Sequence, residues 1–189
     1  MRSRGFTLIE VIITVAIMAL LMTFGMPMYT QWNQNMQIRS AADSIVNGLQ
    51  VARNEAVRMN QTVRFELTNA AGDEWRVCGW DVVNNDCLGA PIQERSGAEG
   101  GLNARLGGTT VEMGDFAVPI SAGDGIPAGV TFSSFGRALN PGLDLRRIDV
   151  RNPMLSAADE RRLVILITGG GQVRMCDPKH VRATNAQGC

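Results

Sequence analysis

The sequence has few of the residues on which enzyme active sites are usually built. It contains a single histidine, His180, and its four cysteines form no Cys-x-x-Cys pair. No P-loop, Gly-x-Ser-x-Gly or His-Glu-x-x-His motif occurs. His180 stands beside Lys179 in a polar stretch typical of a solvated loop, and Asp81 and Asp86 fit a solvated turn better than a calcium site. We therefore expect no catalytic residue, no metal and no cofactor, and we predict that the protein is not an enzyme.

The charge balance gives no support for a nucleic-acid-binding protein. Basic and acidic residues are equal in number, at 18 each. Their distribution is uneven, because residues 66–124 carry ten acids and three bases whereas residues 137–182 carry nine bases and five acids. Overall charge therefore offers no argument for DNA or RNA as a partner.

A long apolar segment lies at the amino terminus. Residues 6–28 contain one charged side chain, Glu10, and the residues before them include Arg2 and Arg4. As a helix the segment would be roughly 35 Å long, enough to cross a hydrocarbon core of about 30 Å, and the arginines would hold the amino terminus in the cytoplasm. It is too long for the apolar part of a secretory signal, roughly 7–15 residues. A carboxylate inside a membrane costs at least about 2.5 kcal/mol, so Glu10 is a candidate functional residue.

The helix is predicted to continue beyond the apolar segment, from Phe6 to about Met59. Small and aliphatic residues recur at spacings of three and four and predict one buried helix face, formed by Ile38, Ala42, Ile45, Leu49, Ala52 and Ala56. Gly25 and Pro27 predict a kink, since proline removes an intrahelical hydrogen bond. One long helix should therefore have an apolar half and an amphipathic half that packs on a partner surface.

Short alternating or apolar segments after the helix predict β-strands. They lie at residues 62–67, 75–80, 129–133, 145–150, 163–168 and 172–176. Residues 163–168 are the most apolar and predict a central strand, the glycines at 169–171 predict a hairpin turn, and the glycine-rich residues 96–108 predict a loop. Trp75 and Trp80 are predicted core residues. The predicted fold class is α+β, a long amino-terminal helix packed on an antiparallel β-sandwich or rolled sheet.

The four cysteines predict disulfides if the domain lies outside the cytoplasm, where oxidation is the default. Three connectivities are open. Pairing of Cys78 with Cys87 and of Cys176 with Cys189 is favoured, because each pair brackets a loop-like segment. Free buried thiols are the alternative. A bond to the terminal Cys189 would attach residues 177–189, which have little to bury, to the last strand and protect that sheet edge.

The amino terminus reads GFTLIE from Gly5 to Glu10 and continues into an uninterrupted apolar helix. These residues resemble the amino terminus of type IV pilins, also called a class III signal peptide. The resemblance implies that a prepilin peptidase cuts between Gly5 and Phe6 on the cytoplasmic face and that Phe6 is then N-methylated. Glu10 would become the fifth residue of the mature chain, where the family has its glutamate, and Pro27 matches the helix-kinking proline. A plain single-span anchor is the alternative.

Motifs in the soluble part narrow the resemblance. Residues 52–56 read ARNEA, residues 130–137 read VTFSSFGR, and residues 174–178 at the end of the last predicted strand read RMCDP. These motifs resemble the GspH/FimT family of pilin-like proteins, whose members are minor pilins of the FimU and FimT kind or the H pseudopilin of type II secretion. The family's fold is a long amino-terminal helix packed on a β-sandwich.

The resemblance implies an organisation and a function. It implies a prepilin leader at 1–5, a transmembrane half-helix at 6–28, an amphipathic half-helix at 29–60 and a periplasmic β-sandwich domain at 61–189. The expected protein is a structural minor pilin or pseudopilin that assembles into or primes a type IV pilus or a type II secretion pseudopilus, with the pilus favoured by the CDP run at residues 176–178. Its expected partners are other pilins or pseudopilins, contacted through the helix, the prepilin peptidase and the cytoplasmic membrane. The expected location is the bacterial inner membrane, single-pass, with the carboxy-terminal domain in the periplasm.

DNA binding is the alternative function. Some FimT-like proteins bind DNA in natural transformation through a Gly-Arg-x-Arg motif near the carboxyl terminus, and the matching residues 171–174 read GQVR. Gln172 replaces the first arginine and brings no charge to a phosphate. Arg174, Lys179 and Arg182 remain as candidate DNA-binding residues. Three bases give a weak electrostatic footprint, so a solvated polar tail is the favoured interpretation.

Overall fold

One long helix opens the structure, which is a computed structural model. It describes residues 7–97, 103–111, 115–139 and 142–189. Helix α1 runs from Leu8 to Met59, so the predicted helix is confirmed from Leu8 onward, while Phe6 lies outside the described residues. The chain divides into two units within this helix: the described residues up to Asn33 form one, and Gln34–Cys189 form the other.

Two antiparallel sheets follow the helix. Their strands within the described residues are β1 Val63–Leu67, β2 Trp75–Asp81, β3 Asp86–Arg95, β4 Arg105–Thr109, β5 Ala128–Phe132, β6 Arg147–Arg151, β7 Leu163–Ile167 and β8 Val173–Cys176. Sheet A has the order β3-β2-β1-β5, and sheet B has the order β4-β6-β7-β8. Each neighbouring pair is antiparallel. The predicted fold class, a long helix with an antiparallel two-sheet domain, is confirmed.

The core forms where the amphipathic part of α1 meets both sheets. The six residues of the predicted helix face are all buried, with exposed fractions of 0–2%, and they join Phe65 of sheet A and Ile165 of sheet B in one cluster. Gly48 allows the close approach, since a Cβ there would lie 2.7 Å from the Phe65 ring. Trp75 and Trp80 are buried as predicted, at 3% and 6% exposure. The helix period thus correctly identifies the face that the sheets cover.

The predicted loop at residues 96–108 is wrong at its carboxyl end, where β4 begins at Arg105. The misleading signal is glycine. Gly107 and Gly108 lie inside this strand. Both positions require glycine because the surrounding atoms leave no room for a side chain. A Cβ on Gly107 would collide with the carbonyl oxygen of Ser121, and one on Gly108 would lie 2.7 Å from Leu145 Cδ2. In this strand the glycines allow other segments of the chain to pack closely against it. A sequence pattern cannot distinguish such glycines from those of a loop.

Strand β3 is absent from the sequence predictions. It lies at the edge of sheet A, and nearly all of its residues are exposed. Gly89 has a positive φ of 76° within the strand, and the pairing with β2 shifts register between Val77 and Gly79. An exposed, irregular edge strand has no buried face, so it lacks the alternation of apolar and polar residues by which strands are recognised.

Candidate functional site

The first turn of α1 is closed by a reciprocal pair of side chains. The backbone N–H and the hydroxyl of Thr7 both donate to Glu10 Oε2, at 2.9 Å each, and the Glu10 N–H donates to Thr7 Oγ1 at 3.4 Å. Threonine before the first helical residue and glutamate three positions later form a capping box, which satisfies backbone donors that the helix leaves unpaired. The box uses only one oxygen of Glu10. The carboxylate singled out by the sequence therefore has a local structural role as well.

The helix that follows presents apolar side chains to its surroundings. Thirteen large apolar residues between Leu8 and Met28 are 46–79% exposed: Leu8, Ile9, Val11, Ile12, Ile13, Val15, Ile17, Met18, Leu20, Leu21, Met22, Met26 and Met28. The hydroxyls of Thr14 and Thr23 donate to the carbonyls of Val11 and Ala19, at 2.9 and 2.8 Å. The length of α1 and a mean hydropathy of 2.4 in its most apolar 18 residues make it a candidate membrane span. Exposed apolar surface of this extent is typical of a site that contacts a membrane or another protein.

Pro27 lies inside α1 as the sequence predicts, and the helix continues on both sides of it. The hydroxyl of Thr30 donates to the Pro27 carbonyl at 2.8 Å. The kink stays a prediction. Gly5 and Phe6, the residues of the predicted cleavage site, lie outside the described residues.

Both local disulfides are formed in the structure. Cys78 is bonded to Cys87, and Cys176 to Cys189, with Cα separations of 5.6 and 5.1 Å. The first bond joins β2 to the edge strand β3. The residues between these cysteines belong mostly to the two strands and to the tight turn that joins them, not to a loop.

The second disulfide fastens the carboxy-terminal tail to the end of β8. Asp177 N donates to the Gln187 carbonyl at 2.7 Å, and Asp177 and Gly188 form an isolated parallel bridge. Arg174 Nη2 donates to the carbonyl of Gly188. The tail therefore returns to the last strand, as predicted for a bond at Cys189.

The three candidate DNA-binding cations differ in their surroundings. The Arg174 guanidinium is half-buried and bonded to the tail as described, and Lys179 Nζ donates to the Ala158 carbonyl at 3.1 Å. Arg182 is exposed. Arg174 also lines an open polar groove with Gln50 and Arg53 of α1. The structure does not gather the three cations into one cluster of free charges, because two of them already bind backbone carbonyls.

Asp81 closes the turn between β2 and β3. Its carboxylate accepts the N–H groups of Val83 and Asn84, at 2.8 and 3.2 Å, and the Asn84 side chain at 2.7 Å. These bonds, from the Val83 N–H first, lower the pKa of Asp81 below its ordinary value. Within the described residues no group of three or more His, Cys, Asp or Glu side chains could hold a metal ion. Asp81 thus lies at a tight turn whose following residues, from Val82 to Asp86, are exposed.

Sequence reasoning missed a buried ionic cluster on sheet B. Arg147 donates twice to Asp149, from Nε at 2.7 Å and from Nη2 at 3.0 Å, and Arg162 Nη1 donates to the same carboxylate. The N–H of Ile120 donates to Asp149 at 3.0 Å, and Arg147 donates to the Val118 carbonyl at 2.8 Å. The cluster thus holds the segment around Val118 on the sheet. A strand with charges at alternate positions predicts a solvated face, so the burial of this cluster has no signal in the sequence.

A second polar cluster was also missed, at the point where α1 enters the second unit. Gln34, Asn35 and Gln37 form what we call the amide collar. Gln34 accepts the Asn152 amide at 2.6 Å and the Asn103 amide at 3.2 Å. Asn35 is bonded to the backbone at residues 159 and 161, and Gln37 to the Asn103 N–H. The run QWNQNMQ at residues 31–37 is rich in amides, which is the signal that could have identified the collar.

A long helix with an exposed apolar part, followed by a domain of two antiparallel sheets, is the architecture of a pilin-like protein. The family described as "Type II transport protein GspH" matches residues 41–171, and the "Prokaryotic N-terminal methylation motif" matches residues 1–26. The first match spans more than half of the chain. The chain belongs to the GspH family of pilin-like proteins, as its motifs predicted.

The likeness to a solved minor pilin supports the same fold. The type IV minor pilin FimU of Pseudomonas aeruginosa PAO1 matches in two crystal forms, each with a TM-score of 0.50, at 17% and 18% identity. The alignments cover 75% and 76% of this chain and 94% and 90% of FimU. The minor pseudopilin EpsH of the Vibrio cholerae Type 2 Secretion System matches with a TM-score of 0.47 at 11% identity, over 76% of this chain and 99% of EpsH. No curated protein sequence matches the chain. At these identities the likeness to FimU shows the fold alone.

Proposed function

We propose that this chain is a structural minor pilin or pseudopilin, anchored by α1 in the bacterial inner membrane with its β domain in the periplasm. A prepilin peptidase would cut between Gly5 and Phe6, and the apolar half of α1 would pack with the helices of other pilins. The observation that carries the proposal is the amino-terminal turn: one carboxylate, Glu10, stands at the start of an exposed apolar helix, in a segment that matches the methylation motif. We propose no catalytic role.

The charge of Glu10 would serve assembly. After cleavage, the new amine of Phe6 and the carboxylate of Glu10 both lie in or near hydrocarbon, where each isolated charge is costly. Pairing Glu10 with the Phe6 amine of a neighbouring subunit would neutralise both charges and fix the axial register of the helices. The capping box is compatible with this pairing, because it engages only Oε2 of the carboxylate.

The two roles of Glu10 can be separated by substitution. Glu10→Gln keeps a residue that can complete the capping box but removes the charge, whereas Thr7→Ala removes the capping hydroxyl and keeps the charge. We expect Glu10→Gln and Glu10→Ala to reach the membrane and be cleaved but to be incorporated poorly into filaments. Thr7→Ala should have the smaller defect, and Thr7→Ser should behave as the wild type. Incorporation is measured by immunoblot of sheared filaments against the membrane fraction.

The outcome pattern distinguishes charge pairing from helix capping. If Glu10→Gln is incorporated as well as the wild type while Glu10→Ala and Thr7→Ala both fail, the box is what assembly requires and the pairing is refuted. If all variants assemble normally, the amino-terminal turn has no part in assembly.

Of the two machineries, we propose the pilus, on the resemblance of the CDP run at residues 176–178 to minor pilins. The genes beside this one test the choice: other minor pilins and an adhesin-like protein would support it, whereas a secretion ATPase and an outer-membrane channel without them would contradict it. DNA binding stays the alternative, and the bonds of Arg174 and Lys179 to backbone carbonyls do not favour it. Gel retardation of duplex DNA at low salt tests that alternative directly.

A further inference from the structure

Strand β8 is an edge of sheet B, and its outer side is only partly covered. The N–H of Thr168 donates to the carbonyl of Gln172 at 3.0 Å, so these two residues form a hydrogen-bonded pair at the start of β8. Such pairs alternate along antiparallel strands, and the register therefore turns the N–H and carbonyl groups of Val173 and Met175 away from β7. No described residue forms a hydrogen bond with these outward groups. β8 thus presents an unpaired strand edge at these two residues.

The other sheet edges in the described part of the chain are covered or obstructed. Beside β5, the N–H of Leu139 donates to the Thr131 carbonyl at 2.8 Å. Beside β4, the N–H of Gly123 donates to the Leu106 carbonyl at 2.8 Å. The outer strand of sheet A, β3, contains Pro91, which has no N–H to offer. Of these edges, β8 is the one that can accept another strand without an obstruction.

A groove of about 360 Å³ lies between β8 and α1. Residues 171–174 form one wall, and Gln50, Arg53 and Asn54 of the helix form the other. The volume falls within the range of roughly 300–1,000 Å³ that is usual for binding sites. The side chains of Gln50, Asn54 and Gln172 hydrogen-bond to no described residue, so their amides are available as donors and acceptors. The unpaired edge of β8 therefore borders a space whose lining can bind a polar ligand.

Fixed backbone bounds the groove at both ends. At one end Arg53 Nε donates to the Gly136 carbonyl at 3.0 Å, and Gly171 packs on that carbonyl so closely that a Cβ would collide with it. At the other end the tail bonds to Asp177, because the Gln187 carbonyl accepts its N–H at 2.7 Å. The strand between these ends spans about 13 Å, at about 3.3 Å per residue, so roughly four or five extended residues would fill the groove.

A polypeptide strand matches the unpaired edge at its own spacing. The N–H and carbonyl groups of an extended chain alternate with the same repeat as those of Val173 and Met175, so both kinds of outward group would be paired. The phosphates of DNA only accept hydrogen bonds and would leave the two carbonyls without a donor. A second β8 from another copy is disfavoured, since it would bring two copies of Arg174 together, and like charges on paired strands are destabilising. The groove therefore fits a strand of a different protein.

The lining of the groove also favours one kind of strand. It includes two guanidinium groups, those of Arg53 and Arg174, and no carboxylate. Each guanidinium donates to a backbone carbonyl, at Gly136 and at Gly188, which holds the walls in place. Neither forms an ion pair among the described residues, so the groove keeps a positive charge. A strand with an acidic side chain should therefore bind more tightly than the same strand with a lysine.

We propose that the groove between β8 and α1 binds an extended segment of a different protein subunit, which adds a strand to the free edge of sheet B. The segment pairs with the outward groups of Val173 and Met175, as in other cases where a peptide extends a sheet. All residues of the groove belong to the unit Gln34–Cys189. The contact is therefore additional to the helix packing proposed above, and it does not depend on the membrane or on cleavage at the amino terminus.

The test measures binding of a blocked seven-residue peptide, acetyl-Thr-Val-Thr-Glu-Thr-Val-Thr-amide, to the full chain in detergent. Hydrogen exchange followed by NMR reports on the amides of Val173 and Met175, and the amides of the obstructed edge strand β3 are the internal control. Two matched peptides carry lysine in place of the glutamate, or N-methyl groups on every backbone nitrogen. The first changes only the charge, and the second removes every donor that could pair with the edge.

We expect the glutamate peptide at saturation to slow exchange of both amides by about fivefold or more and to leave β3 unchanged. The lysine peptide should bind several-fold more weakly, and this difference should shrink at high salt. The N-methylated peptide should have no effect on either amide.

A substitution in β8 tests the same contact from the side of the protein. Val173→Pro removes one outward N–H that no described residue accepts, and proline is tolerated on an edge strand whose N–H faces outward. Val173→Ala is the matched control, because it also shortens the side chain but keeps the N–H. We expect the peptide to protect the Met175 amide in Val173→Ala and not in Val173→Pro. Should Val173→Pro fail to fold, the N-methylated peptide still decides the matter.

Unchanged exchange at Val173 and Met175 with millimolar glutamate peptide overturns the proposal. So does equal protection by the N-methylated peptide, or in Val173→Pro and Val173→Ala, since the peptide would then bind without pairing to the edge. Equal binding of the glutamate and lysine peptides at low salt would overturn the preference for an acidic strand. Protection of the same amides by duplex DNA, with none by the peptide, would assign the groove to nucleic acid instead.

Discussion

The two parts of helix α1 differ in how far their apolar side chains are buried. From Leu8 to Met28 the large apolar side chains are 46–79% exposed, and polar groups are satisfied within the helix, by the Thr7–Glu10 box and by threonine hydroxyls. From Ile38 to Ala56 the inward side chains are 0–2% exposed and pack on two sheets. The first part leaves its apolar side chains uncovered, whereas the second packs its apolar face on the two sheets. The apolar surface still to be covered by partners therefore belongs to the first part.

The largest expected effect comes from truncating one leucine in each part. Leu49 is fully buried, and Leu49→Ala should lower the free energy of unfolding of the β domain by about 2–5 kcal/mol, from lost transfer energy and the cavity left behind. Leu20 is 62% exposed, so Leu20→Ala should change that free energy by less than about 0.5 kcal/mol. Urea unfolding of the full chain in detergent, followed by near-ultraviolet circular dichroism, measures both. Similar losses for the two variants would show that the first part also packs on the domain.

A glycine in each part allows a finer comparison. A Cβ on Gly48 would lie 2.7 Å from a ring carbon of the buried Phe65, whereas nothing lies within 4 Å of one on Gly25. Gly48→Ala should therefore cost about 1–3 kcal/mol by overpacking, despite the better helix propensity of alanine. Gly25→Ala has no such penalty and should favour the helix by roughly 0.5–1 kcal/mol.

Unfolding of the Gly48→Ala chain and thermal loss of helical circular dichroism of the Gly25→Ala chain in detergent are the measurements. A stabilised Gly48→Ala domain would mean that Phe65 moves aside at little cost. The Gly25 variant has a second use in cells: normal insertion with defective filament assembly would place a neighbouring helix close to Gly25.

The sequence predicts the elements that bury a regular face and misses those that do not. The helix face from Ile38 to Ala56 repeats every three or four residues, β1 alternates, and β7 is an apolar run. Each of these patterns is regular because the element packs on the same core. β4 contains Gly107 and Gly108 for reasons of close approach, and exposed β3 has no buried face to pattern. These two strands depend on their neighbours in space, which the local sequence does not contain.

The same distinction applies to the candidate site. Glu10 could be singled out because a carboxylate stands alone in an apolar run, and its chemistry there needs no knowledge of the fold. The capping partner Thr7 was within reach of the sequence, as a threonine three residues before a glutamate. The amide collar and the Asp149 cluster join residues far apart in the chain, such as Gln34 with Asn152, and only the fold brings them together.

The smallest expected effect concerns Asp81, at an exposed turn held only by local bonds. The N–H of Val83, then that of Asn84, then the Asn84 side chain lower the pKa of Asp81 below 3.8. A carboxylate with a lowered folded pKa stabilises its turn above the unfolded pKa, and this contribution is lost as the pH falls through the folded value. The Val83 and Asn84 amides should thus keep their protection from hydrogen exchange down to about pH 4 and lose it below. In Asp81→Ala they should exchange faster at every pH.

The disulfide between Cys78 and Cys87 holds the strands on either side of the turn. The global free energy of unfolding should therefore hardly change, either at low pH or in Asp81→Ala. Amide exchange and carboxyl titration by NMR measure both quantities. Protection lost well above pH 4, or a titration at the ordinary value, would show that the turn is not held by the charged carboxylate.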